Sequence, residues 1–284
     1  MSRIAIITDT DSSLPLSISK PLGIVQVAIT INFDTESYAA VDEINDKQVF
    51  ERIDRTGKLP STAAPSPGQF AKAFEQAFKD GAETVLCFCV SSDVSATYGA
   101  ALTAKELTPD LDIRVIDSKS LSMSFGFMVL EACEAAQAGA SVEDILARAI
   151  DVRDRTHLFA ALATLKYLAM SGRVSQVAAG FASVLSVKPI LTIRNGKLDL
   201  LERVRTQGKA FDRVIELATQ AANGKTIERL CILHVNALDS ARQFEAQLRQ
   251  RLTYPPEPLY IELTPGLSIH SGAGLVGVSF VVSR

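Results

Sequence analysis

The 284-residue chain has no surplus of positive charge: 29 lysines and arginines stand against 32 aspartates and glutamates, a formal net charge of −3. Binding to a nucleic-acid backbone draws on cations that release condensed counterions, so no nucleic-acid partner is expected. Cysteine is scarce. Cys87, Cys89, Cys133 and Cys231 each lie inside an apolar strand or helix pattern, which suits small buried hydrophobes in a reducing cytoplasm better than a disulfide framework. Cys87 and Cys89 alternate on one strand with no second ligand pair, so no metal site is expected. Long apolar runs are missing too. The N-terminal stretch turns polar at Thr8-Asp9, too early for the core of a signal peptide. Residues 264–283 have the length of a membrane span, but Pro265, His270, several serines and four glycines interrupt them, and they read as a loop followed by a strand. The expectation is a cytoplasmic protein with no transmembrane segment. The chain also lacks internal repeats and any glycine-rich loop with a Walker-type lysine, which excludes nucleotide-dependent phosphoryl transfer by this chain alone.

What is present is enough apolar sequence for two modest cores, with 47% hydrophobic residues. Apolar runs at Ile4–Thr8 and Ile24–Ile31 predict opening strands spaced for a crossover, and residues 45–56 have helical spacing. Residues 59–68 stack turn formers. Phe70, Ala73, Phe74, Ala77 and Phe78 then recur on one helix face, with Ser66 as N-cap and Pro67 at the first helical position. A strand over 85–90, a helix over 96–106, a strand over 113–116 and a helix over 124–138 follow. Strands alternating with helices predict a parallel sheet with helices on both faces. Ser141 with Glu143 and Asp144 starts one more helix, and the pattern changes around Arg155–Phe159. Beyond it the spacing predicts helices over 162–170 and 175–185, separated by a turn at Ser171-Gly172-Arg173. Strands over 188–194 and 197–205 flank Asn195-Gly196, a strong hairpin signal. Helices over 209–222 and 240–252, and strands over 229–234, near Tyr260 and over 276–282, complete a mixed α/β second half.

The most informative segment is Thr84–Tyr98, where an unbroken apolar run ends in Ser91, Ser92, Ser95 and Thr97 before an alanine-rich helix pattern. A buried parallel strand delivers such residues to the carboxyl edge of a sheet, where ligands bind and helix-start N–H groups favour an anion. Other constellations are weaker. Asp9 and Asp11 after the first strand invite comparison with a magnesium-dependent, haloacid-dehalogenase-like phosphatase acting on a small phosphorylated ligand. That chemistry needs a later acidic pair, whereas Ile116-Asp117-Ser118 offers one acid; the alternative role is turn and cap. Ser95 and His270 could be drawn as a hydrolase pair, but Ser95 lacks a glycine-flanked elbow. His270 lies in a glycine-rich stretch that lets backbone approach a ligand. Arg173, after a glycine turn, can meet an anion or cap the preceding helix. Arg203 and Arg205 place two charges on one strand face, either a solvated edge or a docking patch for an acidic or phosphate-bearing partner.

Taken together, Ile7-Thr-Asp9, Ser61–Gly68, Ser91–Tyr98, Val115–Ser118, Gly172–Ser175, Val187–Leu191, Val204–Thr206 and His270–Gly274 resemble, in order and spacing, the DegV family, which includes the fatty-acid-binding subunits of bacterial fatty acid kinases. The resemblance runs the length of the chain. It implies an N-terminal three-layer α/β/α domain with a parallel sheet in residues 1–157, and a smaller two-layer α/β domain with a mixed sheet in residues 158–284. A long-chain fatty acid such as palmitate, stearate or oleate would be buried between them, with no other cofactor. Thr62 and Ser95 match the threonine and serine that hold the carboxylate. Arg173 and His270 match the arginine and histidine near it, and Arg205 matches a basic position on the face that meets the kinase. The family usually carries Ser-Gln at Ala63-Ala64, glycine at Ala96, glutamine at Gly99, lysine and glycine at Met170-Ser171, and proline at Ala273. The chain would be a carrier, not a catalyst.

The physics of such a guest is simple. Two hydroxyls, backbone N–H groups and a nearby Arg173 keep a carboxylate hydrogen-bonded after it leaves water. At roughly 0.8 kcal/mol per buried CH₂, about 14 methylenes gain on the order of 11 kcal/mol before ordering costs. Phe33, Phe125, Phe127, Phe159, Phe181, Leu185, Ile190 and Leu275 are candidates for the tunnel wall, and each is equally well explained as ordinary core.

Overall fold

The computed structural model describes residues 3–173 and 187–284. In chain order its elements are β1 (Ile4–Asp9), α1 (Leu16–Ser19), β2 (Val25–Val27), β3 (Thr30–Phe33), β4 (Glu36–Ala39), α2 (Asp46–Thr56), β5 (Ser61–Ala63), α3 (Pro67–Lys79), β6 (Thr84–Cys89), α4 (Thr97–Leu107), β7 (Ile113–Asp117), α5 (Ser122–Gln137) and α6 (Val142–Asp154). They continue with β8 (Thr156–Ala161), α7 (Lys166–Ser171), β9 (Lys188–Arg194), β10 (Lys197–Val204), α8 (Gln207–Ala222), β11 (Ile227–His234), α9 (Leu238–Leu248), β12 (Leu259–Glu262), α10 (Pro265–Ser271) and β13 (Val276–Val282). The chain forms two units, Met1–Glu43 with Pro60–Asp154 and Ile44–Leu59 with Arg155–Arg284. Residues 44–59, which carry α2, thus group with the second unit although the chain on either side of them groups with the first.

The first unit is built on a parallel sheet in the order β2-β1-β6-β7. Every residue of β6 is buried, as a central parallel strand covered on both faces requires. Phe70, Phe74 and Ala77 of α3 and Ala101 and Ala104 of α4 pack with Ile7, Val85, Cys87 and Cys89 of the sheet. Helix α3 starts as its sequence predicts: Ser66 and Gln69 form a reciprocal capping box, with Pro67 at the first position. Helix α5 is apolar nearly all round and buried. A Cβ at Gly126 would collide with the Ser12 carbonyl and Met123, so glycine there admits the turn that follows β1.

The run Ile24–Ile31 does not form one strand. It breaks at Ala28-Ile29, where the Ile29 N–H donates to Thr10 Oγ1 at 3.0 Å and its carbonyl accepts from Ala40 N–H at 2.8 Å. Strand β2 before the break joins the parallel sheet; β3 after it joins β4 and β5 in a three-stranded antiparallel sheet. The turn formers of residues 59–68 contain β5, which sets Thr62 opposite Ile31 of β3.

The second unit holds a mixed sheet in the order β10-β9-β8-β13-β11-β12. Asn195 and Gly196, both at positive φ, make the β9–β10 hairpin that their spacing predicts. Helices α8 and α9 cover the sheet through a core of Phe211, Val214, Phe244, Val278 and Phe280, with Phe211 and Phe244 edge to face at 5.3 Å between centroids. Two segments differ from their sequence pattern. Residues 156–161 form a strand and Leu162 N–H still bonds to the Pro189 carbonyl at 2.9 Å, so the helix predicted over 162–170 shortens to α7. Residues 265–271 form α10 rather than loop. The helix predicted over 175–185 lies outside the described residues. No helix among the described residues is long and apolar enough to cross a membrane.

Candidate ligand-binding site

At the carboxyl edge of the first unit's parallel sheet, Asp9 ends β1 fully buried. Its Oδ1 accepts from Asp11 N–H at 2.9 Å and its Oδ2 from Val90 N–H at 2.7 Å. Both oxygens therefore serve backbone groups, tying the turn after β1 to the end of β6. Burial pushes the Asp9 carboxyl up to about 7 against the pull of those two amides. This is the turn-and-cap role. Among the described residues no three His, Cys, Asp or Glu side chains gather as a metal site. Asp9→Asn turns an amide N–H₂ toward one of the two backbone donors, and a loss of about 1–3 kcal/mol is expected in urea denaturation. Because the folded chain holds the Asp9 proton more tightly than the unfolded chain, its stabilisation is complete below about pH 4. It is lost as pH rises through about 7.

The four hydroxyls after β6 divide into two pairs. Ser91 is buried, and its Oγ accepts from Asp93 N–H at 3.3 Å. Ser92 is exposed: its hydroxyl donates to Asp117 at the end of β7 and accepts from Lys119 Nζ at 3.1 Å. Burial works against the Asp117 carboxylate, but hydrogen bonds from Ser92 and Lys119 outweigh it and hold the group below its usual range. Ser91 and Ser92 thus brace the sheet edge. The other two form a pair of their own, Ser95 Oγ and Thr97 Oγ1 lying 2.8 Å apart at the start of α4. Ala96, the N-cap of α4, supplies no side-chain cap, and Ser95 Oγ accepts from Thr97 N–H at 3.3 Å instead, so this hydroxyl pair sits at a helix start, where an anion is favoured. Thr62, half-buried on β5, belongs to the three-stranded sheet of the same unit.

In the second unit, Arg173 follows Gly172, whose left-handed φ of 69° closes α7. Arg173 Nη1 donates to the Ser171 carbonyl at 2.7 Å, which is the helix-capping role. The same arginine acts on His270, in the last turn of α10. Burial first, and the Arg173 charge second, pull the His270 imidazole down to about 4, so it is neutral at pH 7 while Arg173 carries the charge. After α10, Gly272 has φ 80° and ψ 159°, a conformation essentially confined to glycine. A Cβ there would run into the Tyr167 ring of α7.

A model of the family described as "Uncharacterised protein, DegV family" matches residues 3–283. The chain belongs to the DegV family. DegV domain-containing proteins of Mycobacterium tuberculosis and Halalkalibacterium halodurans are 35% and 30% identical to it over 278 and 284 residues. The first alignment covers 97% of this chain and 96% of the relative, the second 100% of both. Among solved structures, "Fatty Acid Binding of a DegV family Protein from Thermus thermophilus" is 28% identical with a TM-score of 0.92, over 99% of this chain and 100% of the other. "DegV, a fatty acid binding protein from Bacillus subtilis" is 25% identical with a TM-score of 0.89, over 100% of both chains.

The apolar candidates of this DegV chain fall in both units. Phe33, Phe125 and Phe127 are buried in the first. Phe159 and Ile190 are buried in the core of the second, where Leu275 is also buried. Phe181 and Leu185 lie outside the described residues. Arg203 is exposed near the end of β10, and Arg205, also exposed, lies one residue beyond that strand. Two residues of the second unit had no local signal. Asp46 and Ser268, 222 positions apart, are hydrogen-bonded in the second unit.

Proposed function

We propose that this DegV-family chain is a carrier that encloses one long-chain fatty acid and presents its carboxylate to a separate fatty acid kinase, which forms the acyl phosphate. The observation that carries this reading is the paired hydroxyls of Ser95 and Thr97 at the start of α4, in a chain similar to a fatty-acid-binding DegV protein of Thermus thermophilus. Thr62 and Ser95 donate to the carboxylate, Arg173 offsets its charge and neutral His270 donates one N–H. The alkyl tail supplies affinity at roughly 0.8 kcal/mol per buried CH₂, and Phe33 and Phe125 are among its wall.

Organic extraction of purified protein followed by mass spectrometry is expected to release about one fatty acid per chain. Protein that carries none and takes up none when offered oleate overturns the reading. For the partner, Arg205→Ala is expected to leave lipid content unchanged and to weaken coupling to the kinase, because one exposed charge steers encounter without touching the guest. Unchanged turnover with a cognate kinase removes Arg205 from the docking face.

A further inference from the structure

Asp46 is the first residue of α2, where an acid ordinarily stays in water and interacts with the helix dipole. Here it is 4% exposed. The hydroxyl of Ser268, itself fully buried, donates to Asp46 Oδ1, while Asp46 Oδ2 is buried without a hydrogen-bond partner. A half-served buried carboxyl is costly to keep, so packing alone does not explain it.

What it touches gives the reason. Helix α10 has seven residues and its N-cap Thr264 makes no side-chain cap, so its own hydrogen bonds cannot hold it in place. It is held from two sides, by Tyr167 of α7 against Gly272 and by Asp46 of α2 against Ser268. Ser268 stands two residues before His270, and its carbonyl accepts from Gly272 N–H at 2.7 Å and from Ser271 Oγ at 3.3 Å. A bond to Ser268 therefore acts on the turn that bears the imidazole.

We propose that Asp46, through Ser268, is the positioning residue for His270, setting the rotation of α10 and so the place of the imidazole at the carboxylate site. The proposal rests on the fatty-acid reading for its consequence, but not for its geometry. Its signature is a pH dependence. Glu262 of β12 acts on Asp46 with a charge that opposes ionisation, and on α2 itself Lys47 pairs with Glu51 in solvent. Burial, opposed by the Ser268 bond and reinforced by Glu262, raises Asp46 to about 7. The protonated acid carries no charge into this site; ionisation strengthens the Ser268 bond itself but sets a buried charge beside Glu262 with one oxygen unserved, which drives the carboxylate toward water and shifts Ser268 with it.

The test is oleate binding at pH 6 and pH 8 together with imidazole NMR, which three histidines keep assignable. Wild type is expected to bind on the order of fivefold or more weaker at pH 8 than at pH 6, with the His270 signals moving through a step near pH 7. Asp46→Asn keeps a neutral acceptor, and both the extra step and the His270 movement are expected to vanish. Ser268→Ala, which removes the donor and fills no new space, is expected to bind weakly at both values. If Asp46→Asn shows the same binding step and the same His270 movement as wild type, the positioning role is overturned while the fatty-acid reading stands. If wild type binds no oleate at either pH, that reading fails, and the His270 signals still decide the positioning role by themselves.

Discussion

Thr62→Ala combined with Ser95→Ala is expected to empty the protein of lipid while leaving it folded. In the proposed site each hydroxyl would donate to a charged group, and a hydrogen bond of that kind contributes about 1.5–3 kcal/mol. The pair together comes to about 3–6 kcal/mol, a loss of roughly two to four powers of ten in affinity. The tail, buried at roughly 0.8 kcal/mol per CH₂, cannot make up the difference, because the carboxylate would then be buried with too few donors. Ser95 also has a structural duty, since its Oγ lies 2.8 Å from Thr97 Oγ1 and accepts from Thr97 N–H at 3.3 Å. The check is lipid content by mass spectrometry alongside thermal denaturation, with Thr62→Ser as a control that keeps a hydroxyl. Full lipid content in the folded double variant removes Thr62 and Ser95 from the head-group site.

Gly272→Ala is expected to destabilise the second unit strongly. Its φ of 80° with ψ of 159° costs a non-glycine residue about 1–3 kcal/mol in strain. The new Cβ also meets the Tyr167 ring, and forcing such an overlap apart costs about 1–3 kcal/mol more. The sum, about 2–6 kcal/mol, is a large part of a domain's stability. Tyr167→Leu added to Gly272→Ala is expected to recover the collision but not the strain, so urea denaturation of the single and double variants separates the two. A Gly272→Ala protein as stable as wild type means that α10 and α7 are not packed as described.

Much of the fold was legible because its signals are local. The Ser66-Pro67 start of α3 and the Asn195-Gly196 hairpin depend on residues within three or four positions of one another, and both form as their sequence predicts. The Thr264-Pro265 start of α10 carried a comparable signal, with proline at the first helical position and Gly272 just past the end. Its glycines and serines obscured that signal. Strand β5 had no local signal at all, since three residues among turn formers become a strand only because β3 pairs with them. The run Ile24–Ile31 looked continuous because hydrophobicity records burial, not which sheet does the burying.

The alternation of strands and helices, the hydroxyl-rich turn after β6, and the motifs whose order marks a DegV chain follow from residue order alone, because each is written in neighbouring residues. Which hydroxyls are committed to the protein itself followed from the three-dimensional packing, since Ser92 is claimed by Asp117 and Lys119, which lie distant in sequence. That packing alone turned Asp9 into a latch on Val90, made His270 neutral, and joined Asp46 to Ser268. The physical reason is that a side chain's charge and hydrogen-bond commitments depend on what surrounds it in space, and those partners come from distant parts of the chain.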